Sequence, residues 1–291
     1  MRGEFIDIDG ARLYCYAAGT PGGGEPVVFL HGFPASSHLW ADVVPLLPSG
    51  RRHVVVDMLG YGRSDRPGGR DVSIPGHGAR TLALLDALGI NYACVVGHDV
   101  GGGLMQTLAR SAPERITGLF FFDFVYPGIG SRMAEPDRLN NIWYQSFNQL
   151  EIAPALVGAS RESCRAYIGY FLKHWSHRKH AFDDVLEAYV DNFMKQGNLA
   201  GGFAYYRAAH AGRIRMLKGE AVRLPPIDLP TCVRWAEHDP LFPYAWTDRL
   251  GETFTNLDLS MFGDVGHFAH REDPDRAAAE IAAFFKRIGW G

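Results

Sequence analysis

The fold of this chain is decided by residues 94–103, which read Cys-Val-Val-Gly-His-Asp-Val-Gly-Gly-Gly. A short apolar run enters a turn of small residues, and a helix-compatible run, 104–110, leaves it. Glycines at positions 97, 101 and 102 surround Asp99, and residues without a Cβ let two backbone segments pass closely at a sharp turn. The spacing G-x-D-x-G-G predicts a strand, a tight turn and a helix, with Asp99 at the reactive position of a nucleophile elbow. Its carboxylate would stand at the start of the helix, where backbone N–H groups favour an anion.

The composition limits the kinds of protein to consider. The chain has 291 residues, of which 47% are hydrophobic and 21% charged, and its formal net charge is −3. This length suits one domain with an insertion, and the absence of a Lys/Arg stripe excludes nucleic acid as an expected partner. Four cysteines lie far apart without C-x-x-C spacing, which favours reduced thiols in the core. With no signal-like N-terminus and no long apolar run, we expect a soluble cytoplasmic protein without a membrane partner.

Short apolar runs alternate with helix-compatible segments on both sides of the elbow. A continuous apolar run suited to a strand covered on both faces lies at 26–30, and further strands are predicted at 52–57, 119–124, 231–235 and 257–261. A hairpin over 5–17, turning at Asp9-Gly10, precedes them. Helices are predicted at 39–47, 78–88 and 276–288. This alternation predicts an α/β fold: a mostly parallel central sheet with helices on both faces.

One long segment breaks the alternation. From about residue 126 to 224 the chain is helical and rich in aromatic residues, and strand-like runs resume only after Pro225-Pro226. We therefore predict two units: a core domain formed by 1–126 and 226–291, and a helical cap formed by 127–225. A cap inserted here would cover the carboxyl ends of the strands, where open α/β sheets bind ligands.

Two further signals complete a catalytic set with Asp99. Asp239 follows a predicted strand in Glu-His-Asp-Pro, and His267 lies in a loop before the last helix in Gly-His-Phe. The chain order nucleophile, acid, histidine is that of an α/β-hydrolase triad. In such a set His267 would take a proton from water, while Asp239 would fix its tautomer and stabilise the imidazolium.

Most of the chain resembles the α/β-hydrolase superfamily, within the branch of epoxide hydrolases and haloalkane or fluoroacetate dehalogenases. The matching motifs are His-Gly-Phe-Pro at 31–34, Gly-Tyr-Gly-Arg-Ser at 60–64, His-Asp at 98–99, Asp239, and Gly-His at 266–267. The resemblance implies that Asp99 attacks a carbon atom to form an ester, which water activated by His267 hydrolyses. It also implies an oxyanion hole formed by the backbone N–H groups of Phe33 and Val100.

Dehalogenases and epoxide hydrolases of this branch differ in the groups that stabilise the negative charge on the departing halide or on the epoxide oxygen. Dehalogenases of this branch usually carry Trp or Arg directly after the nucleophile, whereas this chain has Val100. The lid segment Ala-Tyr-Tyr-Arg-Ala at 204–208 resembles the epoxide hydrolase motif that supplies a ring-opening tyrosine, here Tyr206, and Tyr144 matches the second one. A phenol with a pKa near about 10 stays protonated at neutral pH and can donate to an alkoxide. The alternative is that both tyrosines only pack in an aromatic core.

The sequence therefore predicts an epoxide hydrolase that needs no cofactor or metal and acts on a small lipophilic epoxide with water. His31, Trp143 and Phe268 are expected to line the substrate pocket. Asp123, at the end of the strand after the elbow, is the alternative triad acid, because some members of the branch take their acid from that position. A dehalogenase with the same nucleophile and a catalytically silent ligand-binding protein are the rival functions. The oligomeric state, including a homodimer, stays open.

Overall fold

The central feature is one sheet, described here from a computed structural model that covers residues 2–20, 24–220 and 223–290. Within these residues eight strands lie in the order β1-β2-β4-β3-β5-β6-β7-β8. The strands are β1 Arg2–Ile8, β2 Ala11–Gly19, β3 Val27–Leu30, β4 Arg52–Val56, β5 Ala93–His98, β6 Ile116–Phe122, β7 Thr231–Ala236 and β8 Leu257–Phe262. The pairs β1–β2 and β2–β4 are antiparallel, and all the others are parallel. The predicted α/β architecture is confirmed.

The α-helices of the described residues fall into a core set and an inserted set. The core set is α1 Ile74–Ala87, α2 Val100–Ser111, α9 Ala269–Glu272 and α10 Pro274–Arg287, and the inserted set is α3 Leu139–Phe147, α4 Ala153–Val157, α5 Arg161–Trp175, α6 Leu186–Phe193, α7 Asn198–Ala208 and α8 His210–Leu217. The inserted helices lie between β6 and β7 along the chain, inside the segment predicted to form the cap. The division into two domains stays a prediction.

Two helix predictions differ from the structure. Helix α1 begins four residues before the predicted start, because Ser73 accepts a hydrogen bond from the Gly76 N–H and Pro75 occupies the first turn. The segment 39–47 forms two short 3₁₀ turns, Ser37–Trp40 and Val44–Leu46, in place of one helix. A proline lies in the second of these turns, and its missing N–H and fixed φ favour a short turn over a continued helix.

The core lies around the middle strands of the sheet. Every residue of β3 and β5, and all but one of β6, are buried, as expected for parallel strands covered on both faces. All four cysteines are buried and unpaired, in agreement with the prediction of core thiols.

Across the described residues, no helix combines the length and the apolar character needed to cross a membrane.

Candidate active site

The turn between β5 and α2 places Asp99 at a strained backbone conformation, with φ 52° and ψ −116°. A Cβ at Gly101 would collide with the Leu30 carbonyl oxygen, and one at Gly102 would collide with Phe124 Cβ, whereas one at Gly97 would have to displace the flexible Met105 side chain. A Cβ at Gly32 would collide with Asp99 itself. The turn is therefore sharp because its neighbours have no side chains, and it directs the carboxylate beyond the ends of the strands.

The carboxylate of Asp99 is held by backbone donors. The Phe33 N–H donates to Asp99 Oδ2 over 2.8 Å, and the Val100 N–H lies close enough to this carboxylate to lower its pKa. Burial raises the pKa of Asp99, while His267 and the two backbone N–H groups act in the opposite direction. The structure thus brings the two N–H groups predicted as an oxyanion hole to the proposed nucleophile.

His267 and Asp239 form a buried hydrogen-bonded pair. His267 Nδ1 lies 2.8 Å from Asp239 Oδ2, and neither side chain is exposed to solvent. The other oxygen of Asp239 accepts from the backbone N–H groups of Leu241, at 2.7 Å, and Phe242, at 3.2 Å. Burial works to lower the pKa of His267, but the charge and hydrogen bond of Asp239, followed by the charges of Asp99 and Glu272, raise it above its ordinary value. The other ring nitrogen of His267, Nε2, has no hydrogen-bond partner among the described residues. It is therefore available to a water molecule.

The alternative acid, Asp123, lies behind this pair. It follows β6 with φ 23°, and its Oδ1 accepts from the Ala236 N–H over 2.9 Å. Burial, and then the charge of Asp239, raise the pKa of Asp123 well above its ordinary value. A carboxyl group that holds its proton cannot balance an imidazolium, and the imidazole bonds to Asp239. The geometry therefore favours Asp239 over Asp123 as the acid.

A cavity of about 460 Å³ lies between the elbow and the inserted helices. Asp99 lines it together with Tyr144 of α3 and Tyr206 of α7. The two tyrosine rings meet edge to face with their centroids 5.7 Å apart, and Tyr144 also stacks on Phe33 at 5.8 Å. Burial, followed by the nearby Asp99 charge for Tyr144 and by Tyr144 for Tyr206, raises the pKa of both phenols well above the ordinary value. Both hydroxyl groups therefore keep their protons at neutral pH.

Three residues predicted to line the substrate pocket lie elsewhere. His31 is buried in the loop after β3, where its ring bonds to the Gly32 carbonyl oxygen, at 3.0 Å, and accepts from the Met58 N–H, at 3.1 Å. Trp143 is 40% exposed, because the residue next to Tyr144 on a helix points to another side, and it stacks on Phe171. Phe268 is buried behind the imidazole of His267, with ring centroids 5.1 Å apart. None of these three residues is on the wall of the cavity, and their role in substrate binding stays a prediction.

The cavity wall also includes polar residues that sequence reasoning missed. Tyr205 lines it beside Tyr206, and burial and the Asp99 charge raise the pKa of its phenol. Gln145 and Arg213 line it as well. No sequence motif points to either residue. Gln145 is overlooked beside Tyr144, which is predicted as a proton donor, and Arg213 lies in a segment that matches no recognised motif.

One group of side chains among the described residues has ligand atoms close enough to hold a metal ion. It consists of Glu237, His238 and Asp264, whose ligand atoms lie within 4.8 Å of one another. All three are exposed and none lines the cavity.

An eight-stranded, mostly parallel sheet with a nucleophile elbow and a buried acid–histidine pair defines a hydrolase-type α/β protein. The family model described as alpha/beta hydrolase fold matches residues 25–274, and the chain belongs to this family.

Relatives within the family carry several activities in their names. The chain is 27% identical over 288 residues to a non-heme chloroperoxidase of Streptomyces lividans, with 98% of this chain and 99% of the relative covered. It is 26% identical over 301 residues to epoxide hydrolase 4 of Mus musculus, covering 97% and 78%. A haloalkane dehalogenase of Mesorhizobium japonicum is 35% identical over 126 residues, a local match covering 43% and 40%.

A solved structure supports the fold over the whole chain. The epoxide hydrolase of Bacillus megaterium in complex with an inhibitor superposes with a TM-score of 0.84 and 22% identity, covering 97% of this chain and 100% of that chain. At this identity the likeness establishes the shared fold, and the reaction has to be argued from the site.

Proposed function

We propose that this chain is an epoxide hydrolase that converts an epoxide to a vicinal diol through an ester on Asp99. The observation that carries the proposal is the presence of two buried phenols, Tyr144 and Tyr206, in the same cavity as the Asp99 carboxylate. An epoxide needs a nucleophile at carbon and an acidic O–H group at oxygen, and this cavity offers both.

In the first step a carboxylate oxygen of Asp99 forms a bond to one epoxide carbon, and the bond between that carbon and the epoxide oxygen breaks. The oxygen, which gains the electron pair, takes a proton from Tyr144 or Tyr206. Gln145 Nε2 lies 3.4 Å from the Tyr144 hydroxyl oxygen and donates to it, so the tyrosine proton is free for the substrate. The protein now carries an ester and one tyrosinate.

In the second step His267 Nε2 takes a proton from water, and the hydroxide attacks the carbonyl carbon of the ester. The Phe33 and Val100 N–H groups hold the resulting oxyanion, a contribution typically worth about 3 kcal/mol per donor. The diol leaves as its oxygen takes a proton from the imidazolium, which leaves Asp99 as a carboxylic acid. The proton of this acid then passes to the tyrosinate, so that Asp99 is again a carboxylate and the tyrosine is again neutral. Asp239 supports the positive imidazole throughout.

The rival function within the same branch is a dehalogenase, because the Mesorhizobium relative is named a haloalkane dehalogenase. That reaction needs donors around a departing halide, and the indole N–H groups of Trp143 and Trp175 in the inserted helices are the candidates. Trp143 lies on the exposed side of α3, and Trp175 is buried against Tyr144, outside the cavity wall. With Val100 after the nucleophile, the cavity is better suited to an oxirane oxygen than to a halide.

The test is to incubate the purified protein with styrene oxide and with 1-bromobutane, and to measure diol and halide release together. We expect diol without halide. In parallel, His267→Gln should accumulate the ester, visible by mass spectrometry as one substrate mass added to the peptide that contains Asp99. Halide without diol would establish the dehalogenase. A stable ester in the wild-type protein without turnover would establish the silent ligand-binding protein.

A further inference from the structure

The cavity that holds the proposed nucleophile also contains a cation without an anionic partner. Arg213 of α8 lines it and is half-buried, and its Nε donates to Gln145 Oε1 over 2.5 Å. No ion pair in the described part of the chain involves Arg213, and none involves Arg215, the second arginine on the wall. The two Nη groups of Arg213 are therefore free to bind an anion.

The charges along the wall are segregated. Asp99 is the one acidic residue among the described wall residues, and it lies at the elbow, while both arginines belong to α8. Burial lowers the pKa of Arg213, and the neighbouring Tyr144 acts in the opposite direction. Gln145 connects the guanidinium to the phenol: its Oε1 accepts from Arg213 Nε, and its Nε2 donates to the Tyr144 hydroxyl oxygen.

Apolar side chains cover most of the remaining wall, among them Ile74, Val100, Met133, Met216 and Phe242. A molecule that fills the cavity would meet the Asp99 carboxylate, a mostly apolar wall, and the half-buried guanidinium of Arg213. A guanidinium fork with two free Nη groups matches the two oxygens of a carboxylate.

We propose that the substrate is an epoxide with a carboxylate group at the far end of a short apolar chain, and that Arg213 binds this carboxylate. This inference rests on the proposed function, since it names the class of epoxide. It also changes the substrate expected from the sequence, a neutral lipophilic epoxide, because one end of the molecule is charged.

The experiment compares terminal epoxy acids of increasing chain length with their neutral primary amides, which have nearly the same shape. The readout is diol formation, and the measured quantity is the ratio of kcat/KM for the acid to kcat/KM for the amide. We expect the wild type to prefer the acid by at least about tenfold at the best chain length, since a hydrogen bond to a charged group is generally worth that much.

The decisive variant is Arg213→Gln, which should lower this ratio about tenfold and act mainly on KM, because a distant carboxylate contact is made equally in the ground state and the transition state. Arg213→Lys keeps the charge without the fork and should restore part of the preference. Arg207→Gln is the matched control: Arg207 is exposed on the adjacent helix and does not line the cavity, so the ratio should not change.

Two results would overturn the inference while the proposed function stands: a wild type that prefers the amide at every length, or a parallel loss for acid and amide in Arg213→Gln. The parallel loss would mean that Arg213 only braces Gln145. If no epoxide of either series gives diol, the proposed function fails, and calorimetric titration with the saturated acids still tests Arg213. Binding by the wild type that Arg213→Gln loses would retain the carboxylate site, and equal binding or no binding by both would reject it.

Discussion

The cavity has a floor, formed by the turn at Asp99 and the Asp239–His267 pair, and a roof, formed by the inserted helices α3, α7 and α8. The two are built differently. On the floor, short hydrogen bonds fix each reacting group: Phe33 N–H to Asp99 at 2.8 Å, and His267 to Asp239 at 2.8 Å. On the roof, Tyr144 receives a single long hydrogen bond of 3.4 Å, and packing between aromatic rings holds the side chains. In the proposed reaction, the floor would be preorganised to form and hydrolyse the ester, and the roof would select the substrate and supply the proton for the epoxide oxygen.

The largest expected effect comes from the floor. Asp99→Ala removes the atom that bonds to the substrate, and turnover should fall by roughly 10⁶-fold, the loss typical of a removed triad nucleophile. Steady-state diol release measures the loss, and mass spectrometry should detect no ester. An unchanged yield of diol would mean that water attacks the epoxide directly and that the elbow only shapes the cavity.

The second effect tests the acid on the floor. Asp239→Asn should slow ester hydrolysis by up to about 10⁴-fold, as in a serine-protease triad that loses its acid. Because Asp239 raises the pKa of His267, removing its charge lowers that pKa. Hydrolysis needs the neutral imidazole and is lost as the pH falls through this pKa, so the acid limb of the variant should move to lower pH. Rapid-quench measurement of ester decay against pH gives both quantities.

The control for this variant is Asp123→Asn. Asp123 accepts a hydrogen bond from the Ala236 N–H and forms none with the imidazole, and its pKa is raised. Replacing it by an uncharged amide should therefore slow ester hydrolysis much less than Asp239→Asn does. A larger loss in Asp123→Asn than in Asp239→Asn would reverse the assignment of the acid.

The third effect moves to the roof. Tyr206→Phe should slow ester formation by roughly 10²-fold or more, the usual contribution of a general acid, and leave ester hydrolysis much less affected. Tyr205→Phe, a change of the neighbouring phenol in the same helix, is the matched comparison and should have the smaller effect. Quench-flow measurement of the two steps separates them. If Tyr205→Phe slows ester formation more, the proton donor is Tyr205, and the roles of the two neighbours exchange.

The floor could be predicted from the sequence because its constraints are local. The turn at Asp99 has no room for a Cβ at Gly101 or Gly102, so glycine is needed at these positions. This requirement appears in the sequence as a fixed spacing of glycines around Asp99. The positions of Asp239 and His267 after their strands follow from the chain order of the fold. These features do not depend on how distant helices pack.

The roof could be predicted only in part, because its residues are selected by the orientation of packed helices. Trp143 and Tyr144 are neighbours in α3, and the tertiary contact with Phe33 decides that the tyrosine faces the cavity. Arg213 lies in a short helix with exposed and half-buried positions on several sides, so no periodic pattern marks the side that lines the cavity. The sequence therefore predicts the floor of the cavity better than its roof.

The smallest expected effect compares the two regions by stability. Gly102→Ala on the floor places a Cβ against Phe124, and overpacking of this kind should lower the free energy of unfolding by about 1–3 kcal/mol. Gly212→Ala on the roof meets no atom within 4 Å and lies inside α8, so it should raise the free energy of unfolding by about 0.5–1 kcal/mol through helix propensity. Denaturant unfolding of the two variants measures the difference. Equal destabilisation would mean that the roof is packed as tightly as the floor, and the division between a fixed reacting centre and an adaptable cover would then be wrong.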